Sequence, residues 1–151
     1  MNAPTQLEAL SQAECTAKLI SGCIGRVGLV AQGSPHVLPV NYAADATGEI
    51  LYRTAGDSLL ASVGGQSVVF EVDGFDEEAH SGWSVCVHGE AREVIVPQGP
   101  TVAGLVERAV VTWAPGPRDR WFTIAPTELT GRKLPLSGVE DRQGWIEGVV
   151  S

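Results

Sequence analysis

Residues 24–54 hold three apolar segments, IGRVGLVAQ, HVLPVNYAA and EILYRT, separated only by two tight turns. Parallel strands need a crossover of about a dozen residues or more. Gly33-Ser34 and residues 45–48 offer hairpin turns instead. The segments are therefore predicted to be antiparallel strands in a meander, over residues 24–32, 36–44 and 49–54. Three further strands are predicted over residues 67–73, 83–96 and 121–126, with Gly89 marking a bulge or bend. Ser11 followed by Glu14 reads as a capping box for a helix running to about Ser21, with Gly22 as its stop. Short helices are expected at residues 58–63 and at 100–111, after Pro100. The stretch GFDEEAHSG reads as an exposed loop and TWAPGPRDR as a rigid one.

Strands and helices do not alternate, and neither an internal repeat nor a break in composition divides the chain. The expected fold is mainly β: one domain over residues 1–151, a six-stranded antiparallel barrel with short helices. Closing the sheet removes its edges. At 151 residues, 44% hydrophobic and 19% charged, the chain can build one core. A net charge of −8 without a basic stripe argues against nucleic acid as partner. No apolar run reaches the roughly 20 residues of a membrane span. The first fifteen residues lack the basic start and apolar centre of a secretory signal, so the expectation is a cytoplasmic protein. Cys15, Cys23 and Cys86 fit neither a metal site nor a disulfide framework and are expected to be buried thiols.

Nucleophile-elbow, zinc-helix and phosphate-loop motifs are absent from the sequence. His36, His80 and His88 form no recognisable arrangement with a serine or cysteine, and no catalytic side chain is assigned. Glu71 and Asp73 share one strand face, read as solvated. Trp83, Trp113, Trp121 and Trp145 suit a core, an interface or a flat heteroaromatic ligand.

The stretch LYRTAGDSLLAS, residues 51–62, carries the clearest chemistry. Alternation puts Leu51 and Arg53 on one strand face and Tyr52 and Thr54 on the other. Gly56 permits a sharp turn, and Asp57 or Ser58 caps the helix that follows. Guanidinium, hydroxyls and helix-start amides together can hold an anion. A capped loop with a surface arginine fits the same residues.

The order of these features resembles the pyridoxamine 5′-phosphate oxidase-like family of FMN-binding split β-barrels. The carriers are ECTAKLISGCIGRVGLV, GSPHVLPVNYA, LYRTAGDSLLA, VVFEVDGFD, GWSVCVHGEAREV and WAPGPRDRWFTIAPTELTGR, covering about residues 10–132 and leaving a tail over 133–151. The resemblance implies a homodimer with a flavin in each of two clefts between subunits. It implies that Pro39, Val40, Asn41 and Tyr42 lie along the isoalloxazine, their backbone groups meeting its polar edge. Arg53, Thr54 and Ser58 would hold the phosphate. Trp83 or Trp113 would close the cleft from the partner subunit. The implied activity is hydride transfer between FMN and a small organic substrate. Family members commonly carry a lysine where this chain has Leu60. That departure keeps alternatives open: a deazaflavin or haem in place of FMN, a non-catalytic binding module, or a barrel with an empty cleft.

Overall fold

The computed structural model describes residues 8–78, 80–94 and 120–135. The Ser11 hydroxyl accepts the Glu14 N–H at 3.1 Å and starts helix α1 (Gln12–Ser21). Cys15 and Leu19 form its buried side. Strands β1 (Ile24–Ala31) and β2 (Ser34–Ala44) make the first hairpin through Gln32 and Gly33, both at positive φ. Strand β3 (Ile50–Thr54) completes the meander. A 3-10 turn over Leu59–Val63 leads to β4 (Ser67–Asp76), β5 (Ser81–Val94) and β6 (Arg120–Pro135). Every strand pair is antiparallel, and the order β1-β2-β3-β6-β5-β4 closes into a ring.

Alternation fills the ring. Val27, Tyr42, Ile50, Tyr52, Phe70, Val85, Val87, Phe122 and Ile124 all point inward and are buried. A barrel this narrow is packed by side chains rather than left hollow. Tyr42 meets Phe70 edge-on at 4.6 Å, and Tyr52 stacks on Phe122 at 5.6 Å. Helix α1 is tied to this core by the Tyr42 hydroxyl, which donates to the Leu19 C=O at 2.7 Å. Glycine at position 25 is a packing requirement, since a Cβ there would stand 2.1 Å from the Phe70 ring.

The six strands match their predicted order, but their lengths differ. The sixth is predicted over the segment WFTIAP, ending at Pro126. Strand β6 instead continues to Pro135 and is the longest of the six. Gly89 pairs with Pro126 and His88 with Glu128, so Thr127 is the extra residue of a bulge and its hydroxyl donates to the His88 C=O. A bulge is where a sheet tolerates proline. Strand β4 likewise extends to Asp76, which shortens the acidic loop. The second helix is a 3-10 turn rather than an α-helix. Of the cysteines Cys15 is buried and Cys86 partly so, whereas Cys23, between α1 and β1, is exposed. Residues 100–111, Trp113 and the tail with Trp145 lie outside the described residues. Among the described residues, no helix is long and apolar enough to cross a membrane.

Candidate functional site

Strands β2 and β3 pair only from Ala44↔Ile50 to Tyr42↔Tyr52, although β2 reaches back to Ser34 and β3 runs on to Thr54. From Asn41 to Ser34, β2 is laddered among the described residues to β1 alone. The two strands part here, and the gap is the split in the barrel. The Tyr42 N–H donates to the Cys23 C=O at 3.0 Å on the β1 side. Backbone alternation then turns the N–H and C=O of Asn41, and the C=O of Pro39, toward the gap. Proline is tolerated at position 39 because its missing N–H falls on that unladdered side.

The side chains of the four-residue stretch divide accordingly. Val40 and Tyr42 are buried inside the barrel, while Pro39 and Asn41 face outward. Burial pushes the Tyr42 phenol well above its ordinary pKa. The backbone of Pro39 and Asn41, and not that of Val40 and Tyr42, is therefore what this stretch offers a ligand in the gap.

Across the gap stands Arg53. Leu51 and Ala43 form a small buried cluster outside the barrel, packed against Val94 and Trp121. Arg53 emerges beside it, its guanidinium 5.5 Å from the centre of the Trp121 ring. The register makes that contact, since Arg53 pairs with Trp121 across β3 and β6. The Arg53 Nε is buried and has no hydrogen-bond partner among the described residues. A buried donor left unpaired costs about 1–3 kcal/mol, more when charged. An anion at this position would supply the missing acceptor.

Thr54 points the other way and is fully buried. Its hydroxyl lies 2.6 Å from that of Ser58, which also donates to the Ala55 C=O and accepts the Ala61 N–H. The two hydroxyls thus close the turn on itself. Asp57 is exposed, and Leu60 is buried in the main core.

Trp83 lies elsewhere. Its ring covers Gly74, and the Lys18 Nζ sits 4.5 Å from its centre. Trp83 pairs with Lys133 near one end of β5, whereas Val94, which meets Trp121, is at the other. That is roughly 35 Å of strand, so one chain does not bring Trp83 to Arg53. Next to Trp83 a cavity of about 510 Å³ is lined by Glu71, Asp73, Phe75, Gly82 and Leu134 among others. The Glu71–Asp73 face is not simply solvated: the Arg26 Nη1 reaches Glu71 at 3.3 Å and Asp73 at 3.1 Å. Burial, then the hydrogen bond and charge of Asp73, raise Glu71 to about 7 against the pull of Arg26. Among the described residues, no group of three or more His, Cys, Asp or Glu is placed to hold a metal ion.

A family model described as pyridoxamine 5′-phosphate oxidase matches residues 11–133. The chain belongs to the pyridoxamine 5′-phosphate oxidase family. Among solved structures, the FAD binding protein from Mycobacterium smegmatis is 30% identical, with 85% of this chain and 99% of that one covered and a TM-score of 0.66. An FAD-binding protein from Mesorhizobium loti has the same fold at 22% identity, 84% and 97% coverage and a TM-score of 0.63. The FAD and heme binding protein from Mycobacterium smegmatis shares it at 14% identity, 89% and 78% coverage and a TM-score of 0.64. A comparison with curated proteins finds no match. The family's split barrel is thus the architecture of this chain. Trp121 beneath Arg53 was missed from sequence, where it was one of four tryptophans; the β3–β6 register alone singles it out.

Proposed function

We propose that the gap between β2 and β3 binds a flavin, with FMN as the cofactor, and that the protein is an oxidoreductase. The Arg53 Nε at the mouth of the gap, buried and without a partner among the described residues, carries this reading. It is supported by the unladdered backbone of Pro39 and Asn41, whose polar groups suit the edge of an isoalloxazine. The 30% identical relative is an FAD-binding protein, which supports a flavin without choosing its form. Arg53 would hold the phosphate, with Thr54 and Ser58 shaping the turn that presents it. When bound, the flavin would supply hydride chemistry with a small organic substrate. The chain's part is to bind, orient and exclude water.

The cleft is proposed to be completed by a second copy, with Trp83 or Trp113 of the partner subunit over the flavin. Ile24, Val30 and Val37 line the outer face of β1 and β2 beside the gap and are 54%, 59% and 68% exposed. Such a strip suits coverage by another subunit.

Titration of the full chain with FMN, followed by flavin absorbance and fluorescence, tests the cofactor. The expected result is saturable binding that Arg53→Ala weakens about 10- to 100-fold, the loss of one charged hydrogen bond. A protein that leaves FMN fluorescence unchanged would rule the flavin out. Reduction of the bound flavin by a nicotinamide donor would then separate an enzyme from a carrier.

A further inference from the structure

Two arginines stand on adjacent rungs at the end of β3 and are held in different ways. Arg120 pairs with Thr54 and lies against the following turn, where its Nη1 donates to the Gly56 C=O at 3.4 Å. Glu93 forks its guanidinium, taking Nε at 2.7 Å and Nη2 at 2.5 Å. That carboxylate neutralises the Arg120 charge. Arg53, one rung back on the other face, makes no ion pair among the described residues. What steadies it is the Trp121 indole, with the ring centre 5.5 Å from the Arg53 Cζ. Trp121 is itself fixed. It pairs with Arg53 on one side and with Val94 on the other, so the three side chains leave one face of the sheet. Leu51 and Ala43, both buried, form the cluster against which Trp121 and Val94 pack.

The two kinds of support have different consequences for a ligand. A guanidinium meets an aromatic ring through its flat face and donates hydrogen bonds from its edge. An indole therefore restrains Arg53 while leaving its charge and its in-plane donors available, whereas a carboxylate would occupy both. The buried Nε is one of those edge donors. A long side chain also has much rotamer freedom to lose on binding, and a ring that already restricts it removes part of that cost. We propose that Trp121 is the positioning residue of the flavin phosphate site. By holding Arg53 without neutralising it, Trp121 sets the preference of the gap for phosphorylated over unphosphorylated flavins. This rests on the flavin reading above. Trp121 acts through Arg53 and needs no contact of its own with the phosphate.

The test compares FMN with riboflavin, which lacks the phosphate, so each variant is its own control for folding and ring binding. The readout is the ratio of the two dissociation constants by flavin fluorescence. Wild type is expected to prefer FMN. Trp121→Leu is expected to lower that preference about fivefold, the size of one cation–π contact, and Trp121→Phe, a weaker ring, about twofold. In an Arg53→Ala background, Trp121→Leu should leave the ratio unchanged, because the partner through which it acts is gone. If Trp121→Leu binds neither flavin, the same ratio in Trp121→Phe decides. A packing role alone would weaken both flavins together, so an unchanged ratio in the Trp121 variants overturns the proposal and leaves the flavin reading standing. A loss of equal size with and without Arg53 also overturns it. A wild type that binds both flavins equally overturns the phosphate site, and one that binds neither overturns the flavin reading itself.

Discussion

Glu71 shows how one side chain sets a pH response. Its pKa of about 7 lies above the usual carboxylate value because burial and Asp73 favour the neutral form. Between about 4.5 and 7 the folded protein holds a proton there that the unfolded chain releases, so this group's contribution to stability falls as pH rises through that window. Glu71→Gln removes the charge and is expected to raise Tm by roughly 2–4 °C at pH 8, with a smaller gain at pH 5. Thermal scans at the two pH values check it, and a larger gain at pH 5 would contradict the sign. The Tyr42 side chain is a strut between barrel and helix. Tyr42→Phe keeps the ring and loses the bond to the Leu19 C=O. A loss of about 1 kcal/mol is expected in urea unfolding.

At the scale of elements, the pairing of β5 with β6 runs the whole length of β5, from Ser81↔Pro135 to Val94↔Trp121, and depends on one bulge. Gly89 sits there because a Cβ would lie 2.2 Å from the Ala125 C=O, which is backbone and cannot rotate aside. Gly89→Val is expected to cost about 1–3 kcal/mol, as overpacking does, measured as a lower urea midpoint. The same glycine was legible in the sequence as a bulge. Pro126 read alone looked like a strand end, since proline's meaning depends on what lies across from it. Strand β3 is the opposite case: its five residues were placed correctly, but their short ladder to β2, which opens the gap, was not visible.

For the whole molecule, the exposed Ile24, Val30 and Val37 and a cleft open on one side lead to a homodimer as the expected state. Sedimentation equilibrium at micromolar concentration is expected to give twice the chain mass. Val37→Glu, at the most exposed of the three, should shift the protein toward monomer without lowering its Tm by more than a few degrees. A monomer in the wild type would leave no partner to supply Trp83 or Trp113 to the site.

The sequence by itself determined the succession of strands along the chain, the caps of α1, the bulge or bend at Gly89 and the placing of Arg53 on the strand face opposite Thr54. Each of these follows from local sterics, from alternation or from hydrogen bonds between near neighbours. Only the tertiary structure decided which residues meet across strands. Trp121 lies under Arg53, Arg120 and Glu93 lie at the following turn, and Arg26 lies between Glu71 and Asp73. Register is a property of two strands at once, and no periodicity within either of them encodes it.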